Sequence, residues 1–177
     1  VLGELMYALE YRSEPVQITH FGSFRIPLNV YLLGTMNTAD KSLVSFDLAL
    51  RRRFTFLKLN PDLECLGDWG KALGFSEFEM AQIIERAKSL NMWLTDSRDG
   101  LGRSAEFAIG QAYFMKLLDF YPANQDRRTL TSFALEQLWD YHLEPLIEEY
   151  LGAELESHQA SLKKQREFFT ATLPSED

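Results

Sequence analysis

Residues 33–54, LGTMNTADKSLVSFDLALRRRF, decide how the rest of the 177-residue chain is read. The stretch opens at the end of a short apolar run, Asn29 to Gly34 (NVYLLG), which is rich in strand formers and bounded by Pro27 and Gly34. That pattern predicts a buried strand. Thr38 to Leu50 predicts a loop followed by a short helix, and Phe54 to Leu59 (FTFLKL) a second strand halted by Asn60-Pro61. Side chains at the carboxyl end of a strand in an α/β sheet face the ligand crevice. Asn37 is therefore placed where an amide can hold a water or a phosphate oxygen, and Asp40 lies one turn later. The residues alone favour a blander reading, in which Asn37 and Asp40 satisfy loop backbone groups. Arg51, Arg52 and Arg53 also admit two readings. Three adjacent cations repel and would be unremarkable in solvent, but an apolar strand follows them at once. A guanidinium fixed by such an element can reach a neighbouring subunit's phosphates and offset charge in a transition state.

Outward from this block the pattern is helical. Leu2, Leu5, Met6 and Leu9 lie at helical spacing in residues 1–10, and residues 11–28, with Pro15, Gly22 and Pro27, predict a loop or hairpin. Ser76 with Glu79 three residues on forms a capping box opening a helix to about Leu94. A loop, Asp96 to Arg103, contains Gly100 and Gly102. Helices are then expected at about Ala108 to Phe120, at Thr129 to Leu151 with a kink or break at Pro145, and at Ala153 to Thr170. The fold class expected is thus a mostly helical α/β fragment: about two strands of a parallel sheet in residues 1–60, then an all-helical part in 61–177.

Composition narrows the function. Hydrophobic residues make up 46% and charged residues 25%, ordinary for a soluble domain. With 26 acidic against 18 basic residues the net charge is −8, which repels a phosphate backbone and argues against the main DNA-binding surface being here. The single cysteine, Cys65, excludes a disulfide framework within the chain and points to the cytoplasm by default. No secretory signal pattern and no apolar run of about 18 residues is present, so no membrane span is expected. Trp69, Trp93 and Trp139 are expected as core anchors, and Glu144, Glu148 and Glu149 as a solvated helix face. His20, His142 and His158 lack metal-ligand spacing. No Gly-x-x-x-x-Gly-Lys-Ser/Thr phosphate loop occurs; the one Gly-Lys pair, Gly70-Lys71, is followed by Ala72.

Taken together, GTMNTAD-K-S-L (34–43) and D-x-A-L-R-R-R-F (47–54) resemble the sensor-1 and arginine-finger stretch of McrB-type AAA+ proteins, relatives of the MoxR and dynein-like branches. Supporting pieces follow in family order. VLGELMYALE (1–10) resembles the helix after the Walker B strand, FRIPLNVYLLG (24–34) the approach to sensor 1, AEFAIGQAYFM (105–115) a lid segment, and LWDYHLEPLIEEYLG (138–152) the closing lid helix. The resemblance implies that Asn37 orients the hydrolytic water with Asp40 in support, and that Arg52 and Arg53, with Arg51 beside them, supply a finger in trans. It implies a sensor-2 role for Arg103, against which the residues alone favour a solvent-facing arginine, and a lid role for Gln111 where the family has His. Lys41 stands where the family commonly has Arg and lacks the planar bidentate fork.

The resemblance further implies ATP or GTP with Mg²⁺ as ligands of the full-length protein, a homo-oligomeric hexameric ring, a McrC-like nuclease subunit as partner, and DNA bound through another domain. Lacking Walker A and Walker B, the chain by itself is expected to neither bind nucleotide tightly nor hydrolyse it. A MoxR-like chaperone ATPase and a non-catalytic helical interaction module are the competing expectations.

Overall fold

A computed structural model describes residues 2–20, 22–36, 52–123 and 125–174. The chain folds as two units, residues 1–59 and 60–177.

In the first unit, helix α1 spans Leu2–Glu10, and strands β1 (Val16–Ile18) and β2 (Gly22–Phe24) form an antiparallel hairpin. Val16 faces Phe24 and Ile18 faces Gly22. The positive φ of Gly22, 79°, follows His20 at 72°, so the tight reversal uses left-handed backbone on both sides of the turn. Among the described residues the sheet is therefore this hairpin, and the two predicted strands are not found. Residues 29–34 and 54–59 carry no ladder partner among the described residues, and Leu28, Tyr31, Leu33, Phe56, Leu57 and Leu59 are exposed. A strand is stabilised by its neighbours' hydrogen bonds and by cover on its faces, and neither segment has them here. The predicted loop and helix at 38–50 lie outside the described residues.

Among the described residues the elements of the second unit are all helices. Helix α2 (Cys65–Ala72) is not legible in the sequence, since CLGDWGKA holds two glycines. Gly70 has a packing reason: a Cβ there would lie 2.2 Å from Met80 Sδ, so its absence lets α2 approach the next helix. Helix α2 ends at Gly74 (φ 87°), with Phe75 N–H donating to Gly70 O at 3.1 Å and Gly74 N–H to Lys71 O at 3.1 Å, a Schellman stop. Helix α3 (Glu77–Thr95) begins with the expected capping box: Glu79 N–H donates to Ser76 Oγ and Ser76 N–H to Glu79 Oε2.

After the 96–103 loop and a 3₁₀ turn at Ala105–Phe107, helix α4 covers Gln111–Met115 and tightens into 3₁₀ over Lys116–Phe120. The helix expected from 108 thus starts three residues later, after Gly110 in extended backbone. Helix α5 (Ser132–Leu138), capped by Thr131 Oγ1, runs through a π-helical stretch, Trp139–Leu143, into α6 (Glu144–Leu151), with Pro145 in the first turn of α6. The irregularity falls where Pro145 predicted a break, because proline has no N–H for the preceding turn. A 3₁₀ turn, Gly152–Glu154, leads into α7 (Leu155–Thr170).

One apolar core fills this unit. Trp139, Phe114 and Phe169 are fully buried, with ring centroids 5.6 Å apart for Trp139–Phe169 and 6.2 Å for Phe114–Phe169. Trp93 is buried as expected, and Trp69 packs half-buried against the same core. Glu144 departs from the expected solvated face: it is half-buried and accepts a 3.0 Å hydrogen bond from Trp139 Nε1, whereas Glu148 and Glu149 are exposed. Among the described residues no helix is long and apolar enough to cross a membrane.

Candidate functional site

In the first unit the site candidates divide at residue 51. Asn37, Asp40 and Arg51, with Lys41, lie outside the described residues, and Arg52 and Arg53 lie within them. Helix α1 ends on a glutamate, Glu10, with no basic residue in its last turn, so carboxylate and helix carbonyls put negative charge at one place. Arg53 answers it. Its Nη2 donates to Glu10 Oε2, and its side chain is 18% exposed against 47% for Glu10. Arg52 is exposed, and Leu9, Glu10, Arg52 and Arg53 line one recess. Nearby, Arg12 Nη1 donates to Val30 O at 2.8 Å and tethers the extended segment. Tyr7 Oη donates to Glu14 Oε2 at 2.8 Å, and this carboxylate raises the phenol's pKa.

In the second unit Arg103 and Gln111 are held separately, with no hydrogen bond joining them among the described residues. Arg103 follows Gly102 in a loop folded back on the end of α3, where Arg103 N–H donates to Leu94 O at 2.9 Å. Its Nη2 donates to Glu154 Oε2 at 3.0 Å, and its side chain is 23% exposed. That pair engages the Arg103 charge within the unit. Gln111 opens α4, and its Oε1 accepts from Asp62 N–H at 3.2 Å.

Several polar residues that shape this unit escape a reading of the sequence. Asn91 grips Ile109 from both sides: its Nδ2 donates to Ile109 O at 2.9 Å and its Oδ1 accepts from Ile109 N–H at 2.7 Å. This clamp fixes the AIGQAYF segment to α3. Glu79, besides its cap, accepts from Leu130 N–H at 2.6 Å, 51 residues away. Buried Arg128 donates to Leu73 O and, at 3.3 Å, to Pro122 O. Arg86 is buried, has no carboxylate partner among the described residues, and donates to Phe169 O and, at 2.8 Å, to Ala171 O. These carbonyls close α7, where the helix dipole is negative, and burial lowers the pKa of Arg86. A signal existed for Arg86 and Asn91, since both fall among the apolar positions Ile83, Ala87, Leu90 and Leu94 of α3. The carbonyls they meet are too distant in sequence to be guessed.

Comparison with known proteins matches residues 82–159 to the family model described as McrB, alpha-helical lid domain. The chain is also 31% identical over 164 residues to the type IV methyl-directed restriction enzyme EcoKMcrB subunit of Escherichia coli (strain K12). That alignment covers 85% of this chain and 33% of the relative, so the chain spans about a third of the length of the curated relative it matches. The matched family segment begins in α3 and ends in α7, and so takes in the Asn91 clamp, Arg103 and Gln111. The chain is of the McrB type, and its residues 82–159 are an McrB alpha-helical lid domain.

Proposed function

We propose that this chain is the C-terminal part of an AAA+ nucleoside-triphosphatase motor in a McrB-like restriction system. In this reading residues 1–60 supply the second half of the α/β core, with sensor 1 and the arginine finger, and residues 61–177 supply the lid. The observation that carries it is the match of residues 82–159 to the McrB lid family, which favours this reading over a MoxR-like chaperone. The closed core around Trp139, Phe114 and Phe169 suits a lid that rotates as one body when nucleotide binds.

Asn37 would orient the attacking water with Asp40 in support, and the arginine run would meet the phosphates of a nucleotide held by the next subunit of a homo-oligomeric ring. ATP or GTP would be the substrate. Among the described residues no group of three or more His, Cys, Asp or Glu side chains could hold a metal ion, and Mg²⁺ would accompany the nucleotide. The Walker segments of the full-length protein would hold it. The motor would serve a McrC-like nuclease subunit cutting modified DNA in the cytoplasm, with DNA recognition in another domain.

The test is steady-state hydrolysis of ATP and of GTP by the full-length protein and by its Asn37→Ala variant. Loss of a water-orienting amide is expected to lower kcat by about a hundredfold. Normal turnover in Asn37→Ala would sink the sensor-1 assignment, and hydrolysis above background by residues 1–177 alone would sink the division of the motor proposed here.

A further inference from the structure

Two adjacent arginines open onto the recess at the end of α1, yet their surroundings differ. Arg53 is three-quarters or more buried and lies against the Glu10 carboxylate. Arg52 is exposed and, among the described residues, has no ion pair. Among the described lining residues the carboxylate offsets one of the two guanidinium charges, and the other is carried by the exposed side chain. The Arg53 guanidinium is thereby tied, across 43 residues of sequence, to a helix end. An exposed cation whose neighbour is anchored in this way extends from a fixed root. That is the requirement for meeting an oxyanion at a defined place on another molecule.

We infer that Glu10 is a positioning residue: by pinning Arg53 it divides the arginine run into an anchored member and a delivered member, Arg52. The group Arg52 meets is a phosphate of a nucleoside triphosphate held by a neighbouring subunit, so the inference rests on the arginine-finger reading above. Glu10 touches no substrate and acts through Arg53.

The experiment is steady-state hydrolysis by the full-length protein carrying Arg52→Ala, Arg53→Ala, Glu10→Gln, Glu10→Arg, or the reversed pair Glu10→Arg with Arg53→Glu. Arg52→Ala is expected to lower kcat about a hundredfold with KM within about threefold, as for a group used only in the transition state. Its activity should return on mixing with subunits that keep Arg52 but lack their own phosphate-loop lysine. Glu10→Gln is expected to lower kcat about tenfold through misplacement of the delivered group. The reversed pair should regain most of the turnover lost in Glu10→Arg. If Glu10→Gln also lowers the unfolding midpoint, the reversed pair decides. Normal kcat in Glu10→Gln, a reversed pair no better than Glu10→Arg, or rescue by mixing for Arg53→Ala and not for Arg52→Ala overturns the inference. Normal kcat in both arginine variants overturns the finger reading itself, whatever Glu10 does.

Discussion

In residues 60–177 the large apolar side chains face one another: Trp139, Phe114, Phe169, Leu66 and Leu135 are fully buried around one centre. In residues 1–59 the buried hydrophobic residues among those described are Ala8 and Ile26, while Tyr31 is 91% and Leu33 96% exposed. Both regions are comparably rich in apolar residues. The difference lies in what each kind of element needs. A helix satisfies its own backbone and can close a core with a few helical neighbours, whereas an extended segment must find its hydrogen bonds and its cover elsewhere. On the function proposed above, the remaining strands of the motor core would supply both.

Three substitutions probe this contrast. Trp139→Ala should be the most damaging, lowering the unfolding free energy of this chain by about 3–5 kcal/mol in urea titrations, because its cavity would open at the centre of the helical core. Asn91→Ala should cost about 1–3 kcal/mol by leaving the Ile109 amide and carbonyl unpaired. Amide exchange at Ile109 should accelerate while that of α5 stays slow; uniform acceleration would mean the clamp is global and not local. Leu57→Ser, at a side chain 82% exposed, should change stability by less than about 0.5 kcal/mol. A larger loss would show that the extended segment is covered in solution and would erase the contrast between the two regions.

What could be read in advance follows the same line. The Ser76–Glu79 cap, α3, the loop after it, the irregularity before Pro145 and α7 all rest on patterns within a few residues, and all are present. The strands at 29–34 and 54–59 looked as local, but a ladder is made with residues far away, and hydropathy alone could not say whether they were there. Helix α2 went unseen because its two glycines weaken the pattern, and its packing against Met80 restores what propensity lacks. At the candidate site the arginine run was plain in the sequence. Glu10 was not, since nothing in residues 1–10 announces a partner at Arg53.

The π-helical turn at Trp139–Leu143 has a rotational consequence. Along α5 and α6 the buried positions Leu135, Trp139, Leu143, Ile147 and Leu151 fall at every fourth residue. In a regular α-helix four residues overshoot a full revolution by about 40°, so a strict four-residue stripe winds around the rod and soon leaves any flat neighbour. A wider turn, with more than four residues per revolution, winds the stripe the other way. Placed near the middle, it takes back part of that overshoot, so that the stripe from Leu135 to Leu151 drifts around the rod less than a regular helix would carry it. An extra residue in the turn thus acts as a leap day, correcting part of the drift between a four-beat sequence and a helix of 3.6.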